Sequence, residues 1–323
     1  MKHHTLSRRA LLKSSGALAI GLGMASQSVL VQADPDVTFS PDVYHFKVGD
    51  VKMTIISDGF LNVPSEFFAG ALPSAIQNFL ERHFMNPQAI TADMNVALME
   101  DDKGLTLIDP GAASFSLGGD PTGGRLIGSL RALGIAPEDI DNVVITHAHP
   151  DHLGAFALDF QHPTFPNATH YISRDEWNYW TNLPEAAPEL DHGLSQFTAP
   201  NLLAVESQAE LYAGNPYFWD HIKIVETPGH TIDHKAVLIE SQGEQLILTG
   251  DAVGNPTLHL KHPDWYLVVD YDVDQVIQSR IGLLDDASDA GMKVLMYHAP
   301  FPGLGHIKGS ALFDHHWEWI QSR

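Results

Sequence analysis

The chain has 323 residues, with 40 acidic against 18 basic side chains and no cysteine. Four of the basic residues fall within residues 1–33, so the remaining 290 carry 14 basic and 40 acidic groups, a formal charge of −26. A surface that negative repels phosphate backbones and anionic lipid, and the lack of cysteine excludes disulfides, thiolate zinc sites and a cysteine nucleophile. With 19 histidines, any bound metal must rely on imidazole and carboxylate.

Residues 1–33 read as an address. Ser7-Arg8-Arg9-Ala10-Leu11-Leu12-Lys13 is a twin-arginine pattern, and a mildly apolar run over 16–25 leads to Val31-Gln32-Ala33, a small-residue cleavage site. The run is too short and too rich in glycine for a membrane span of ~20 apolar residues. Export by the bacterial twin-arginine machinery is expected, to the periplasm or beyond. Residues 34–323 are expected to form one domain. The 44% hydrophobic content of the whole chain is enough to build a large core.

Residues 43–57 read as two strands around Gly49-Asp50, and Ala75 to Phe84 as a short helix. Residues 95–100 and 104–109 form a hairpin. A helix over Arg125–Leu133 stops at Gly134, and Val143–Thr146 is a buried strand running into His147. A strand over 168–172 leads to a helix from Arg174 to Trp180. Residues 181–216 are rich in proline and acid and read as a capping segment, not a core element. Strands follow at 222–226, 235–240 and 245–249, then a helix over 273–290 and a strand over 293–297. His315-His316 reads as part of a polar carboxyl-terminal helix. That order suits layered sheets covered by helices.

The strongest chemical signal is His147-Ala148-His149-Pro150-Asp151-His152, placed where a strand ends. Side chains alternate along extended chain, so His147 and His149 point the same way, about 7 Å apart. Thr227-Pro228-Gly229-His230, Thr249-Gly250-Asp251 and Tyr297-His298 each follow a strand in the same manner. Five histidines and two aspartates suit zinc, manganese, iron or cobalt. The set is too large for one tetrahedral ion and sufficient for two sharing a carboxylate. His234 and His306 are candidates to orient ligands from behind. The cluster around Trp177 and Trp180 reads equally as a substrate wall or as helix packing.

This order of motifs resembles the metallo-β-lactamase superfamily, from about residue 45 to the end. The resemblance implies a four-layer αββα sandwich. It assigns His147, His149 and His230 to one metal, and Asp151, His152 and His298 to the other, with Asp251 bridging. It places the superfamily's first motif on Asp109. Ile56-Ser57-Asp58-Gly59, Phe301-Pro302-Gly303-Leu304-Gly305-His306-Ile307 and the export segment are similar to methyl parathion hydrolase and related lactonases and arylesterases. Asp58 thereby joins Asp109, His234 and His306 as a supporting residue.

Two divalent ions, zinc foremost, can generate a bridging hydroxide at neutral pH. Asp251 then holds the ions together, and Asp151 is placed to shuttle a proton to the leaving group. The expected reaction is hydrolysis of a neutral lactone or aryl ester, with aryl organophosphates as a side activity. A glyoxalase II-like thioesterase shares the ligands, but only Lys308 and Arg323 follow residue 300 to grip an anionic thioester. The remaining candidates are weak β-lactamase activity and a non-enzymatic, metal-binding redox role. A homodimer is compatible with the sequence, and no nucleic-acid partner is expected.

Overall fold

The computed structural model describes residues 42–119, 121–310 and 316–322. The expected export signal, with Arg8 and Arg9, and His315 lie outside the described residues. Among the described residues no helix is long and apolar enough to cross a membrane.

The first half contains β1 (Val43–Val48), β2 (Val51–Pro64), β3 (Phe68–Ala69), α1 (Pro73–Arg82), β4 (Ala89–Asp101) and β5 (Gly104–Ile108). It continues through α2 (Leu126–Ala132), β6 (Ile140–Val144), α3 (Pro150–Leu153), β7 (Thr169–Ser173), α4 (Arg174–Thr181), α5 (Glu189–Ala204) and β8 (Ala209–Tyr212). The second half holds β9 (Tyr217–Phe218), β10 (Ile222–Glu226), β11 (Lys235–Ser241), β12 (Glu244–Leu248), α6 (Pro256–His259) and β13 (Tyr266–Leu267). It closes with α7 (Val273–Asp289), β14 (Lys293–Leu295), β15 (Leu304–Ser310) and β16 (His316–Gln321).

Two seven-stranded sheets result, in the orders β1-β2-β4-β5-β6-β7-β8 and β16-β15-β14-β12-β11-β10-β9. Their strands read as nearly continuous apolar runs because both faces are covered. Ala97 and Met99 of β4 pack between the sheets against Val237 and Ile239 of β11. The alternate residues face outward: Val96 and Leu98 towards the layer of α2, α4 and α5, Ala236 and Leu238 towards Leu283 and Leu284 of α7. The period of two thus splits each strand between two cores. The architecture is the αββα sandwich expected from the resemblance.

Two expectations fail. Residues 181–216 are no mere cap, since α5 runs for 16 residues within them. Its apolar period is weak because Thr198 and Asn201 are buried to make hydrogen bonds. Thr198 Oγ1 donates to the Ala148 carbonyl at 3.0 Å, and Asn201 Oδ1 accepts the Ala157 amide at 3.0 Å. The expected carboxyl-terminal helix is a strand, β16, paired antiparallel with β15.

Candidate metal centre

The carboxyl ends of β5, β6, β10, β12 and β14 share one rim of the sandwich, and the residues after them converge there. Asp109 follows β5, His147 to His152 follow β6, His230 follows β10, Asp251 follows β12 and His298 follows β14. Gly250 (φ 48°) permits the turn into Asp251. A Cβ there would lie 2.6 Å from His234 Nε2 and 2.8 Å from Thr146 Oγ1, so only glycine fits.

All seven candidate ligands are buried and form two groups. One donor atom from each of His147, His149, His230 and Asp251 lies within 4.8 Å of the others, as does one from each of Asp151, His152 and His298. Asp251 faces both groups. Its Oδ2 is 3.3 Å from His230 Nε2, while its Oδ1 is 3.3 Å from both His152 Nε2 and His298 Nε2. Asp151 Oδ2 stands 3.3 Å from His298 Nε2 and 3.7 Å from His152 Nε2. His149 turns Nδ1 inward, 2.9 Å from His230 Nε2.

The inward atoms suit cations. His147 Nε2, His152 Nε2 and Asp251 Oδ1 are buried without a hydrogen-bond partner, a situation that costs about 1–3 kcal/mol per atom unless something else engages it. Imidazole nitrogens and carboxylate oxygens converging in this way fit two divalent ions sharing Asp251.

The outward ring nitrogens are held by protein. His152 Nδ1 donates to Asp109 Oδ2 at 2.9 Å, His230 Nδ1 to Asp270 Oδ1 at 2.6 Å, and His298 Nδ1 to the Asp93 carbonyl at 2.8 Å. Thr146 Oγ1 donates to Asp109 Oδ2 at 2.8 Å and takes the His147 Nδ1 proton at 3.0 Å. These bonds fix the tautomers so that Nε2 lone pairs point inward. Asp109 stands at φ 52°, an unusual backbone for a non-glycine residue, in the turn that aims its carboxylate.

The other expected supporting residues differ in reach. His234 Nε2 accepts the Asp251 amide at 2.9 Å and its Nδ1 donates to the Thr227 carbonyl at 3.1 Å, so it braces the Asp251 backbone. Asp58 touches no ligand. It accepts the amides of Ala112 (2.9 Å), Gly124 (3.1 Å) and Leu126 (2.7 Å), holding the segment that follows Asp109. His306 is not at the centre. It pairs across to Lys293, at the opposite end of β14 from His298.

Burial pushes the His147 imidazole well below its usual value and His149 down to about 3, leaving both neutral with lone pairs to offer. Burial also disfavours charge on His152 and His230. There the carboxylates win: Asp251, Asp109 and Asp151 hold His152 at about 10, and Asp251 with Asp270 hold His230 at about 9. A cation between these groups therefore displaces protons on binding.

Above the ligands opens a cleft whose floor includes His149, Asp151, His230, Asp251 and His298. Its walls are apolar: Leu61 and Val63, Phe67 and Phe68, Ile90 and Ala92, Phe115 and Leu117, Leu194, Leu267 and Val269. No lysine or arginine is among the described residues that line it. Trp177 and Trp180 do not line it either. Trp180 is buried behind His149, edge-to-face at 5.6 Å, and Trp177 packs into the core under α4.

Several residues of the centre carry no motif that marks them in the sequence: Thr146, Asp270, and Asn95, whose Nδ2 caps the carbonyls of Tyr297 (2.9 Å) and Ala299 (2.7 Å) on either side of His298. Asp270 follows Val268-Val269, an apolar pair ending in an acid, which is the one trace it leaves in the sequence.

The profile of the metallo-β-lactamase superfamily matches residues 93–309, about two thirds of the chain. The chain is 31% identical over 130 residues to N-acyl homoserine lactonase AttM of Rhizobium radiobacter, covering 39% of this chain and 46% of that protein. It is 29% identical over 131 residues to an N-acyl homoserine lactonase of a Bacillus species, covering 40% and 44%. The matches thus span a little under half the length of these curated relatives. Among solved structures, the fold is similar to that of AidC, a dizinc quorum-quenching lactonase in complex with a product, with a TM-score of 0.80 and 27% identity over 88% of this chain and 98% of that one. It is also similar to the hydrolase AbOPH of the β-lactamase superfamily, with a TM-score of 0.79 and 25% identity over 88% and 99%.

Proposed function

The chain belongs to the metallo-β-lactamase superfamily, and from that premise we propose that it is a dinuclear metal-dependent hydrolase of lactones. The observation that carries this reading is Asp251, whose two oxygens face two separate ligand groups under an apolar cleft. Zinc is the proposed ion, because imidazole and carboxylate in these numbers suit it and because the similar lactonase AidC is dizinc. When bound, the ion pair supplies a Lewis acid for the carbonyl oxygen and a water activated near neutral pH.

The chain's own residues supply orientation, shielding and proton transfer. The back-side partners Asp109, Asp270 and Thr146 hold the imidazoles in place, so little reorganisation accompanies the reaction. Asp151 lines the cleft beside His298 and is the group proposed to pass a proton to the leaving oxygen. The apolar walls exclude water and receive the acyl or aryl part of the substrate. Aryl esters and aryl organophosphates are proposed as further substrates of the same site, since each presents a polarised oxygen and a neutral apolar body. Residues 1–33 are proposed to direct the protein to the periplasm or beyond.

The test is a panel of lactones, phenyl esters, phosphotriesters, β-lactams and a glutathione thioester, run with metal analysis on the same samples. The expected result is two divalent ions per chain, fastest turnover on lactones, and loss of activity to a chelator. Full activity in protein that holds no metal would overturn the reading.

A further inference from the structure

The three-histidine group draws on both sheets: His147 and His149 follow β6 of the first, and His230 follows β10 of the second. Something must fix the distance between the two loops. At their base, the Lys235 amide donates to the Thr146 carbonyl at 2.9 Å. At their tips, a single carboxylate spans the gap. Glu176, buried in the first turn of α4, accepts the Ala148 amide at 3.1 Å and the Trp180 indole at 3.0 Å on Oε2, and the Asp233 amide at 3.0 Å on Oε1. Ala148 sits between His147 and His149, and Asp233 sits between His230 and His234. Burial raises the Glu176 carboxyl above its usual range, and its hydrogen bonds pull the other way. These three N–H groups are donors that an ionised carboxylate satisfies on both oxygens.

We propose that Glu176 is a positioning residue that sets the separation of the His147–His149 loop from the His230 loop, and so chiefly the metal affinity of the three-histidine group. The inference rests on the two-metal reading above. The second group shares the 147–152 segment through Asp151 and His152, but its imidazoles have back-side partners that Glu176 does not touch: Asp109 for His152 and the Asp93 carbonyl for His298. Trp180 adds a reporter, because its indole is bonded to Glu176 and its ring abuts His149.

The experiment is cobalt(II) titration of metal-free protein against a competing chelator, followed by tryptophan fluorescence. In the wild type two binding steps are expected. The one whose quenching disappears in Trp180→Phe belongs to the three-histidine group. Glu176→Gln keeps the shape but offers one acceptor and one donor, so an N–H must face an N–H. It should weaken that step about 10–100-fold, the range for partners that hold ligands, and weaken the other step by clearly less. Equal weakening of both steps, or of neither, overturns the proposal. Failure of the wild type to take up two ions sinks the metal-centre reading itself, and this inference with it. Hydrogen exchange on the metal-free wild type is a second arm that does not depend on the variant folding. The Ala148 and Asp233 amides should open together, with protection within about tenfold of each other, and markedly unequal protection counts against a shared clamp.

Discussion

Asp270 Oδ1 lies 2.6 Å from His230 Nδ1, on the side of the ring turned away from Asp251. The other oxygen of Asp270 accepts the Leu267 amide at 2.8 Å, and Leu267 lines the cleft. One buried carboxylate therefore joins a candidate metal ligand to the wall that would touch substrate.

Asp270→Asn should disturb both ends of this link, because an amide cannot accept at both positions. Metal affinity at the three-histidine group, or kcat, should fall about 10–100-fold. Chelator competition and steady-state kinetics on the same preparation decide it. Unchanged metal affinity together with unchanged kcat would show that His230 does not need the partner.

Replacing Asp251 should be more severe. Asp251→Ala removes the one side chain among the described residues that faces both ligand groups, so kcat should drop by more than the ~100-fold expected of residues that only orient ligands. The variant should also bind fewer ions. A variant that keeps two ions and wild-type kcat contradicts the shared-carboxylate role.

The ligands were legible because metal chemistry needs particular side chains at the ends of strands, and short motifs such as His147-Ala148-His149-Pro150-Asp151-His152 mark those ends. Of their supports, Asp109 and His234 were legible too, whereas Asp270 and Glu176 were not. Asp270 reaches His230 across 40 residues and Glu176 reaches Asp233 across 57, through contacts that exist only once the sheets are stacked. The helix α5 escaped for a related reason, since its buried Thr198 and Asn201 spend their polarity on the loops around Ala148 and Ala157 and break the apolar period. His306 misled in the opposite direction. The resemblance of its motif points to a supporting role, yet antiparallel pairing with β14 carries it to the far end of the strand. Trp177 and Trp180 read in sequence equally as a pocket wall or as helix packing, and the helix that carries them turns them into the core, the second of the two.

Asp58 gives a pH signature. It is buried, and burial outweighs four backbone hydrogen bonds, from Ala112, Leu126, Gly124 and Arg125, to raise its carboxyl from 3.8 to about 6. A carboxyl whose folded value lies above the unfolded one binds its proton more tightly in the native state. Its stabilising contribution is therefore full below about pH 3.8 and is lost as pH rises through about 6. At about 1.4 kcal/mol per unit, lowering the pH from 7 to 4.5 should return roughly 2 kcal/mol. Asp58→Asn cannot titrate. The wild-type minus variant unfolding free energy, measured by denaturant on metal-free protein, should therefore grow by that amount between the two pH values. A difference that stays flat removes Asp58 as the source.

The export proposal is tested on Arg8 and Arg9. A receptor that reads paired arginines should reject lysine, although the charge is kept. The double change to lysine should therefore leave uncleaved precursor in the cytoplasm of a bacterial host. Normal cleavage near Ala33 and normal export of that variant would point to the general secretory route.

Substrate class follows from the cleft and the surface together. The chain after residue 33 carries a formal charge of −26, which disfavours the approach of anionic substrates even though bound ions supply local positive charge. Within the cleft, Leu61, Phe67, Phe68, Phe115 and Leu267 offer apolar contact, and no lysine or arginine among the described lining residues offers a clamp for a carboxylate. A neutral lactone with an apolar substituent, or a phenyl ester, should therefore have a higher kcat/KM than a glutathione thioester or a penicillin. The margin should be at least tenfold, about 1.4 kcal/mol of transition-state stabilisation. Salt separates the two causes. Long-range repulsion is screened as the Debye length falls from about 10 Å at 0.1 M to about 3 Å at 1 M, whereas contact with the walls is not. If the cleft discriminates, the margin should persist in 1 M salt. A margin that collapses there assigns the preference to the surface field, and an anionic substrate that outperforms every neutral ester at both salt concentrations overturns the substrate class while leaving the ligand groups in place.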